Sequence, residues 1–162
     1  MGIKMGEEKR TDLEEQIEAI FRGGQFRQLT ELYFAHIKEQ YGLKRIEMEI
    51  LYYLSQGGEH NTSIDVCRRL RANKGHISQA MDSLRKRGLL ETRQDTRDRR
   101  YVHFILLEPA FEIIERLSEE FRRMNKAIFA GFSQQELIEF KSMMSRVGGN
   151  MDRILQELED KS

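Results

Sequence analysis

The segment from residue 74 to residue 86 constrains the fold most, because it has one apolar side and ends where an alternating pattern begins. At about 100° per residue, its apolar residues fall on one side of a helix, and they are Ile77, Ala80, Met81 and Leu84. Asn73 is a favourable N-cap, and Gly88 is a natural C-terminal stop. Residues 89–94 and 99–107 flank a polar turn at 95–98, and the second of these runs alternates and is rich in β-formers. These patterns predict a short helix that leads directly into a hairpin.

Three further helices are predicted before this segment. The first covers residues 12–40, and the glycines at 23 and 24 are expected to kink or break it. The second covers residues 44–55 and stops before the glycines at 57 and 58. The third starts after Thr62, which can form a capping box with Asp65, and its inward residues are predicted to be Ile64, Val66, Cys67 and Leu70.

Two long helices are predicted after the hairpin. Pro109 suits the first turn of a helix that runs to about residue 130, with an apolar set of Phe111, Ile114, Leu117, Phe121, Met124 and Ile128. A capping box from Ser133 to Glu136 opens the last helix, and the glycines at 148 and 149 are expected to weaken its middle.

Two short helices with a tight connection, followed by a hairpin, form the plan of a winged helix-turn-helix. The second helix of such a pair enters the major groove of B-DNA, which is about 12 Å wide, so its outward side must be small and polar. The sequence meets this demand, and the residues predicted to contact DNA are Asn73, Lys74, Gly75, His76, Ser78, Gln79, Asp82 and Lys86, with Arg97 and Arg99 from the hairpin. Gly75 permits a close approach to the sugar-phosphate chain, and Gln79 can bond a base edge at two atoms. Asp82 can either accept from cytosine or orient a basic neighbour.

The charge distribution supports this prediction, although the 27 basic and 27 acidic residues cancel over the whole chain. Between residues 68 and 100 there are eleven basic and four acidic residues, whereas the rest holds sixteen basic and 23 acidic ones. Phosphate binding depends on a local basic patch and not on net charge. A thin basic hairpin also suits a minor groove, where the negative potential is strong.

The sequence resembles the MarR family of bacterial regulators. The matching residues are Ile77-Ser78-Gln79-Ala80 to Leu84, then Lys86-Arg87-Gly88-Leu89-Leu90, then Asp95-Thr96-Arg97-Asp98-Arg99-Arg100. The resemblance covers nearly the whole chain, flanking helices included. It implies a homodimer, binding to a pseudo-palindromic operator, and repression relieved by a ligand or an oxidant. It also implies that Asp98 and Arg100 order the wing and that Arg97 contacts the minor groove.

The predicted fold is mainly α with a small wing of two or three β-strands. A winged helix-turn-helix at residues 41–108 lies between an N-terminal dimerisation helix region at 1–40 and C-terminal dimerisation helices at 109–162. Together they are expected to form one continuous MarR-type domain over about residues 12–158.

A dimer is also expected from the apolar stripes of the terminal helices, which a small winged core is too small to cover. Those stripes contain Phe121, Met124, Ile128, Phe140, Met144, Met151, Leu155 and Leu158. An antiparallel pair of helices within one chain is the alternative. The resemblance places an effector pocket between the dimerisation helices and the winged region, where Tyr33, His36, Met48, Tyr52 and Tyr53 are candidates to line it.

The predicted function is therefore sequence-specific binding of double-stranded DNA by a homodimeric transcription regulator, most simply a repressor. The alternatives are a winged-helix module that binds protein and a redox switch through Cys67, although this thiol has neighbours typical of a packed cysteine. No nucleotide loop, nucleophile triad or paired-carboxylate motif indicates an enzyme, and the histidines lack metal-ligand spacing. We therefore expect no cofactor and no metal. The single cysteine, the absence of a secretory signal and the lack of an eighteen-residue apolar run favour the cytoplasm, with no membrane partner.

Overall fold

The structure is a computed structural model that describes Glu14, Ile17, Ile20 and residues 24–58 and 60–161. The helices and strands from residue 24 onward are, in chain order, α1 (Gln25–Tyr41), α2 (Arg45–Ser55), α3 (Ser63–Leu70), α4 (Lys74–Lys86), β1 (Leu90–Gln94), β2 (Val102–Leu106), α5 (Glu108–Ile128) and α6 (Gln134–Glu159). Glu14, Ile17 and Ile20 are also helical. The rest of the predicted N-terminal region at 1–23 lies outside the described residues.

Helix α1 begins after Gly24, which lies in a turn, so the helix starts at the predicted glycine pair. It ends at Gly42, whose positive φ of 59° lets its N–H bond the Lys38 carbonyl. A left-handed backbone of this kind favours glycine because no Cβ is present.

Helices α3 and α4 form the predicted helix-turn-helix. Thr62 caps α3 and completes the capping box with Asp65, as expected. Arg71 ends α3 in the left-handed region with φ 48°, and Asn73 then caps α4. The four apolar residues predicted to face inward from α4 are all buried: Ile77, Ala80, Met81 and Leu84.

Strands β1 and β2 pair antiparallel, from Leu90 opposite Leu106 to Gln94 opposite Val102. The second strand was predicted from residue 99, and this was wrong, because residues 98–101 form a turn in which the Tyr101 N–H bonds the Asp98 carbonyl at 3.0 Å. The Asp95 N–H donates to the Tyr101 carbonyl at 3.0 Å and closes the loop. The two-stranded hairpin therefore has a seven-residue loop from Asp95 to Tyr101.

The chain divides into two compact units, residues 1–124 and 125–162. The core of the first unit has fully buried side chains from several elements, among them Ile37, Ile50, Leu51, Leu84, Leu90 and Leu117. Two predicted inward residues are in fact exposed, Ile64 at 56% and Phe111 at 55%.

Two residues assigned to the dimer stripe are instead covered by their own chain. Met124 is 1% exposed. Phe121 is half-buried, with its ring centroid 4.5 Å from that of Phe34 and 4.2 Å from that of Tyr52. These two positions therefore serve the core of the first unit, and the stripe prediction was wrong for them.

The second unit contains α6, which starts at the predicted capping box of Ser133 and Glu136. The helix continues without a break through Gly148 and Gly149. None of its residues is buried, and its exposed apolar residues include Ile138, Phe140, Met151, Ile154, Leu155 and Leu158. Phe129 contacts Phe132 and Phe140, with centroid distances of 6.3 Å in both pairs. Within the described ranges, no helix is both long enough and apolar enough to cross a membrane.

Candidate nucleic-acid interface

The outward side of α4 is polar and accessible. Every residue of α4 and its cap that was predicted to contact DNA is exposed: Asn73, Lys74, Gly75, His76, Ser78, Gln79, Asp82 and Lys86. The Asn73 Oδ1 atom accepts a bond of 2.8 Å from the His76 N–H and so fixes the first turn. Because the opposite side of α4 is buried, the helix has a fixed rotation and presents these side chains to solvent.

Asp82 lies beside a cation on the same helix. Its Oδ1 atom is 3.6 Å from Nη2 of Arg85, and both side chains are more than half exposed. Asp82 was predicted either to accept from cytosine or to orient a basic neighbour, and its contact with Arg85 is of the second kind. Both groups remain accessible from outside.

The loop between the strands is shaped by Asp95 and Asp98. Oδ1 of Asp95 accepts from the backbone N–H groups of Arg97 and Asp98, each at 2.7 Å. Asp98 accepts from the Arg100 guanidinium at 3.0, 3.1 and 2.7 Å and from its N–H at 3.0 Å. The predicted wing-ordering residues, Asp98 and Arg100, are thus in direct contact.

These bonds stabilise the ionised carboxylates. The N–H of Asp98, the His103 ring and the N–H of Arg97 lower the pKa of Asp95 to about 2. The guanidinium and N–H of Arg100 lower the pKa of Asp98, and this carboxylate in turn raises the pKa of Arg100. Since a group that stabilises the charged form shifts the pKa in this direction, the loop is a fixed set of charges near neutral pH. The predicted contact residues Arg97 and Arg99 are both exposed on it.

The loop end of the strands holds a cluster that the sequence analysis missed. The His103 Nε2 atom lies 2.9 Å from Oδ2 of Asp95, and its Nδ1 atom contacts Oδ1 of Asn61. Asn61 also donates from its side-chain Nδ2 to the Phe104 carbonyl at 3.2 Å, and its backbone carbonyl accepts from the Phe104 N–H at 2.9 Å. No local pattern in the sequence marks this cluster, because Asn61 lies 42 residues away from His103.

The comparisons with known proteins agree with this geometry. Residues 43–108 match the family described as "Winged helix DNA-binding domain". These residues have a winged helix fold and are called the winged helix domain below. They include α2, α3, α4 and both strands, which carry the exposed polar side and the basic loop.

The chain is also similar to solved structures and to a curated relative. The chain is 18% identical to S. aureus MepR, solved "in DNA-binding conformation", with a TM-score of 0.73 over 83% of this chain and 98% of that one. It is 18% identical to a MarR transcriptional regulator from Methanosarcina mazei, with a TM-score of 0.66 over 89% of this chain and 99% of that one. The transcriptional regulator AdcR of Streptococcus pneumoniae is 32% identical over 85 residues, which are 52% of this chain and 57% of AdcR. The fold is that of MarR regulators.

A second feature missed from the sequence joins α4 of the winged helix domain to α1. Arg87, which follows α4, donates from Nη1 to the Gly42 carbonyl at 3.0 Å and from Nη2 to the Tyr41 carbonyl. Its Nη1 atom is also 4.0 Å from Oε2 of Glu47, a carboxylate only 2% exposed. Arg87 therefore satisfies carbonyl groups at the end of α1 and places a positive charge beside a buried acid.

The five residues predicted to line an effector pocket make different contacts in the structure. Met48 lines a cleft of about 260 Å³ beside α1, α2 and α5, together with Thr30, Phe34, Lys38, Leu117 and Phe121. His36 lies 3.7 Å from Glu120, and the Tyr33 ring faces Arg123 at 5.8 Å. Tyr52 packs on Phe121, and Tyr53 donates to the His60 carbonyl at 2.7 Å.

Cys67 is half-buried within α3. Among the described residues, no cluster of three His, Cys, Asp or Glu side chains is placed to hold a metal ion.

Proposed function

We propose that this chain is a homodimeric, sequence-specific DNA-binding transcription regulator that represses from a pseudo-palindromic operator. The observation that carries the proposal is the two-sided nature of α4. Its apolar side is buried, while its small polar and basic residues are exposed next to a basic loop. This is the arrangement required of a helix that enters a major groove.

Affinity and specificity come from different residues in this proposal. Lys74, Lys86 and Arg99 bind phosphates, which supplies most of the affinity and makes it depend steeply on salt. His76, Ser78 and Gln79 bond base edges and discriminate sequence. Arg97 enters the minor groove beside them.

The homodimer is supported by α6, which has a row of exposed apolar side chains and no buried residue. A second copy related by a two-fold axis would cover this row, and a symmetric dimer suits the two halves of a pseudo-palindromic operator. The similarity to MepR, solved in its DNA-binding conformation, supports the same use of the fold.

We also propose that a small molecule binds the chain and changes its affinity for DNA. The cleft that includes Met48 is lined by the apolar residues Phe34, Leu117 and Phe121 and by charged residues such as Lys38 and Arg45. These features suit a compact, largely apolar effector with a polar group.

The test is DNA binding by the full chain and two variants. Selection from a random pool supplies the DNA site, and gel shifts at several salt concentrations then measure affinity. Arg97→Ala should weaken binding to all sites, and Gln79→Ala should reduce the preference for the selected site over other sequences. Arg122→Ala removes an exposed arginine from α5 and serves as the control, with affinity unchanged.

Two results would contradict the proposal. One is an absence of binding to DNA at low salt, which would favour a protein-interaction module instead. The other is equal affinity of the wild type and both variants for every sequence tested.

A further inference from the structure

The cluster of Asn61, Asp95 and His103 beside the hairpin loop has a defined hydrogen-bond polarity. Nδ2 of Asn61 donates to the Phe104 carbonyl at 3.2 Å, so Oδ1 is the atom turned toward His103. The second ring nitrogen faces a carboxylate oxygen of Asp95 at 2.9 Å. Both partners are acceptors, and a ring nitrogen bonds an acceptor only when it carries a hydrogen.

A neutral imidazole carries one N–H and therefore satisfies one of these two contacts, whereas the imidazolium satisfies both. We propose that His103 is a positioning residue that fixes the wing in its protonated form, so that DNA affinity falls as this ring loses its proton. The inference rests on the proposed DNA-binding function and adds its regulation by pH.

Loss of the His103 proton affects the wing because Asp95 has contacts on both of its carboxylate oxygens. One oxygen holds the N–H groups of Arg97 and Asp98, and the other bonds His103. Asn61 directly precedes Thr62, the cap of α3. Protonated His103 thus connects the loop that carries Arg97 to the start of the helix-turn-helix. When the ring loses its proton, the lone pair of one ring nitrogen faces an oxygen of Asp95 or Asn61, and that contact is no longer a hydrogen bond.

Other charged groups surround the ring. Asp65 and Arg68 of α3 line the same cleft as Asp95, Tyr101 and His103. Arg93 lies opposite His103 in the strand register, and His60 is 3.6 Å from Asp65. Asp95 makes the direct contact, since it is the carboxylate bonded to the ring.

Asp95→Asn separates this role from a purely structural one. The introduced amide retains an oxygen for the two backbone N–H groups and offers an N–H to the ring, so the neutral ring satisfies both neighbours. The matched pair is the wild type and Asp95→Asn, because their remaining histidines are identical. Asp95→Asn and His103→Gln are first compared with the wild type by circular dichroism to establish that they fold.

DNA affinity is measured between about pH 5.5 and about pH 8.5 at constant ionic strength, over the range in which histidine titrates. We expect the wild type to lose at least about tenfold more affinity than Asp95→Asn over this range, as the loss of a charge-assisted hydrogen bond implies. His103→Gln should also lack this extra pH dependence. Profiles of the wild type and Asp95→Asn that superimpose would overturn the inference.

A second readout does not require DNA. The ¹⁵N chemical shifts of the His103 ring in the free wild type should show two protonated nitrogens at about pH 6, and Asp95→Asn should show one unprotonated nitrogen there. A neutral ring in the wild type at that pH would overturn the inference. If the shifts agree but the wild type binds no DNA at any pH, the proposed function fails while the hydrogen-bond assignment holds.

Discussion

Arg87 donates a hydrogen bond of 3.0 Å to the carbonyl oxygen of Gly42, 45 residues earlier in the chain. This bond connects the end of α4 to the end of α1. The same guanidinium lies near Glu47, which is buried and bonds the Lys44 N–H at 2.7 Å.

Replacement of this guanidinium should destabilise the protein. Arg87→Ala leaves the end carbonyls of α1 without their donor and the buried Glu47 without its nearby cation, at a cost of about 1–3 kcal/mol. Arg87→Lys keeps the charge but not the forked geometry and should cost less. Urea unfolding followed by circular dichroism measures both, and equal stability of Arg87→Ala and the wild type would rule out this role.

Gly75→Ala should change stability and DNA affinity in opposite directions. An added Cβ would lie 3.4 Å from Oδ1 of Asn73, an ordinary contact, and alanine favours a helix over glycine by up to about 1 kcal/mol. Affinity should fall, because the proposed binding mode brings the backbone close to DNA here. Thermal unfolding and gel shifts test the two effects. Gly24→Ala, at a position with open space around it, is the control and should leave affinity unchanged; an unchanged affinity of Gly75→Ala would refute the close approach.

The loop should keep its conformation in moderate acid. The pKa of Asp95 is lowered to about 2 from 3.8, so the contribution of its carboxylate is complete above the ordinary value and is lost as pH falls through about 2. The amide resonances of Arg97 and Asp98 should therefore shift with a midpoint near the lower value. Asp95→Asn has no carboxylate at this position and should not show the transition. A wild-type midpoint near 3.8 would show that these bonds do not form in solution.

A charge on the apolar row of α6 should disrupt the proposed dimer. Leu155 is 43% exposed in one chain, and Leu155→Glu would place a carboxylate in the interface, which should weaken association by at least about a hundredfold. Gln156→Glu adds the same charge at the neighbouring polar position and is the control. Analytical ultracentrifugation measures both, and a dimeric Leu155→Glu would place the interface elsewhere.

Local patterns predicted α4 well because its cap, its four buried residues and its stop are all encoded within sixteen residues. The capping boxes at Thr62 and Ser133 were confirmed for the same reason. Helix caps and helical periodicity depend on residues close together in sequence, and these residues are also close together in the folded chain.

Short or ambiguous apolar sets were less informative. Ile64 lies about 200° around α3 from Val66, so the burial of Val66 directs Ile64 to solvent. Phe111 follows the fully buried Ala110 by one position, about 100° around α5, and is exposed. The bond from Arg87 to Gly42 and the contact of His103 with Asn61 could not be predicted, because these partners lie 45 and 42 residues away and no periodicity encodes them.

The tip of the hairpin is held by Asp95 and Asp98 through bonds that leave two of its arginine side chains unused. Asp95 bonds the backbone N–H groups of Arg97 and Asp98 and the His103 ring, and Asp98 bonds Arg100. A tip built this way can exchange Arg97 or Arg99 for other side chains while the helices beneath keep their packing. Changes of operator preference can therefore accumulate at these two positions during evolution without a penalty in folding.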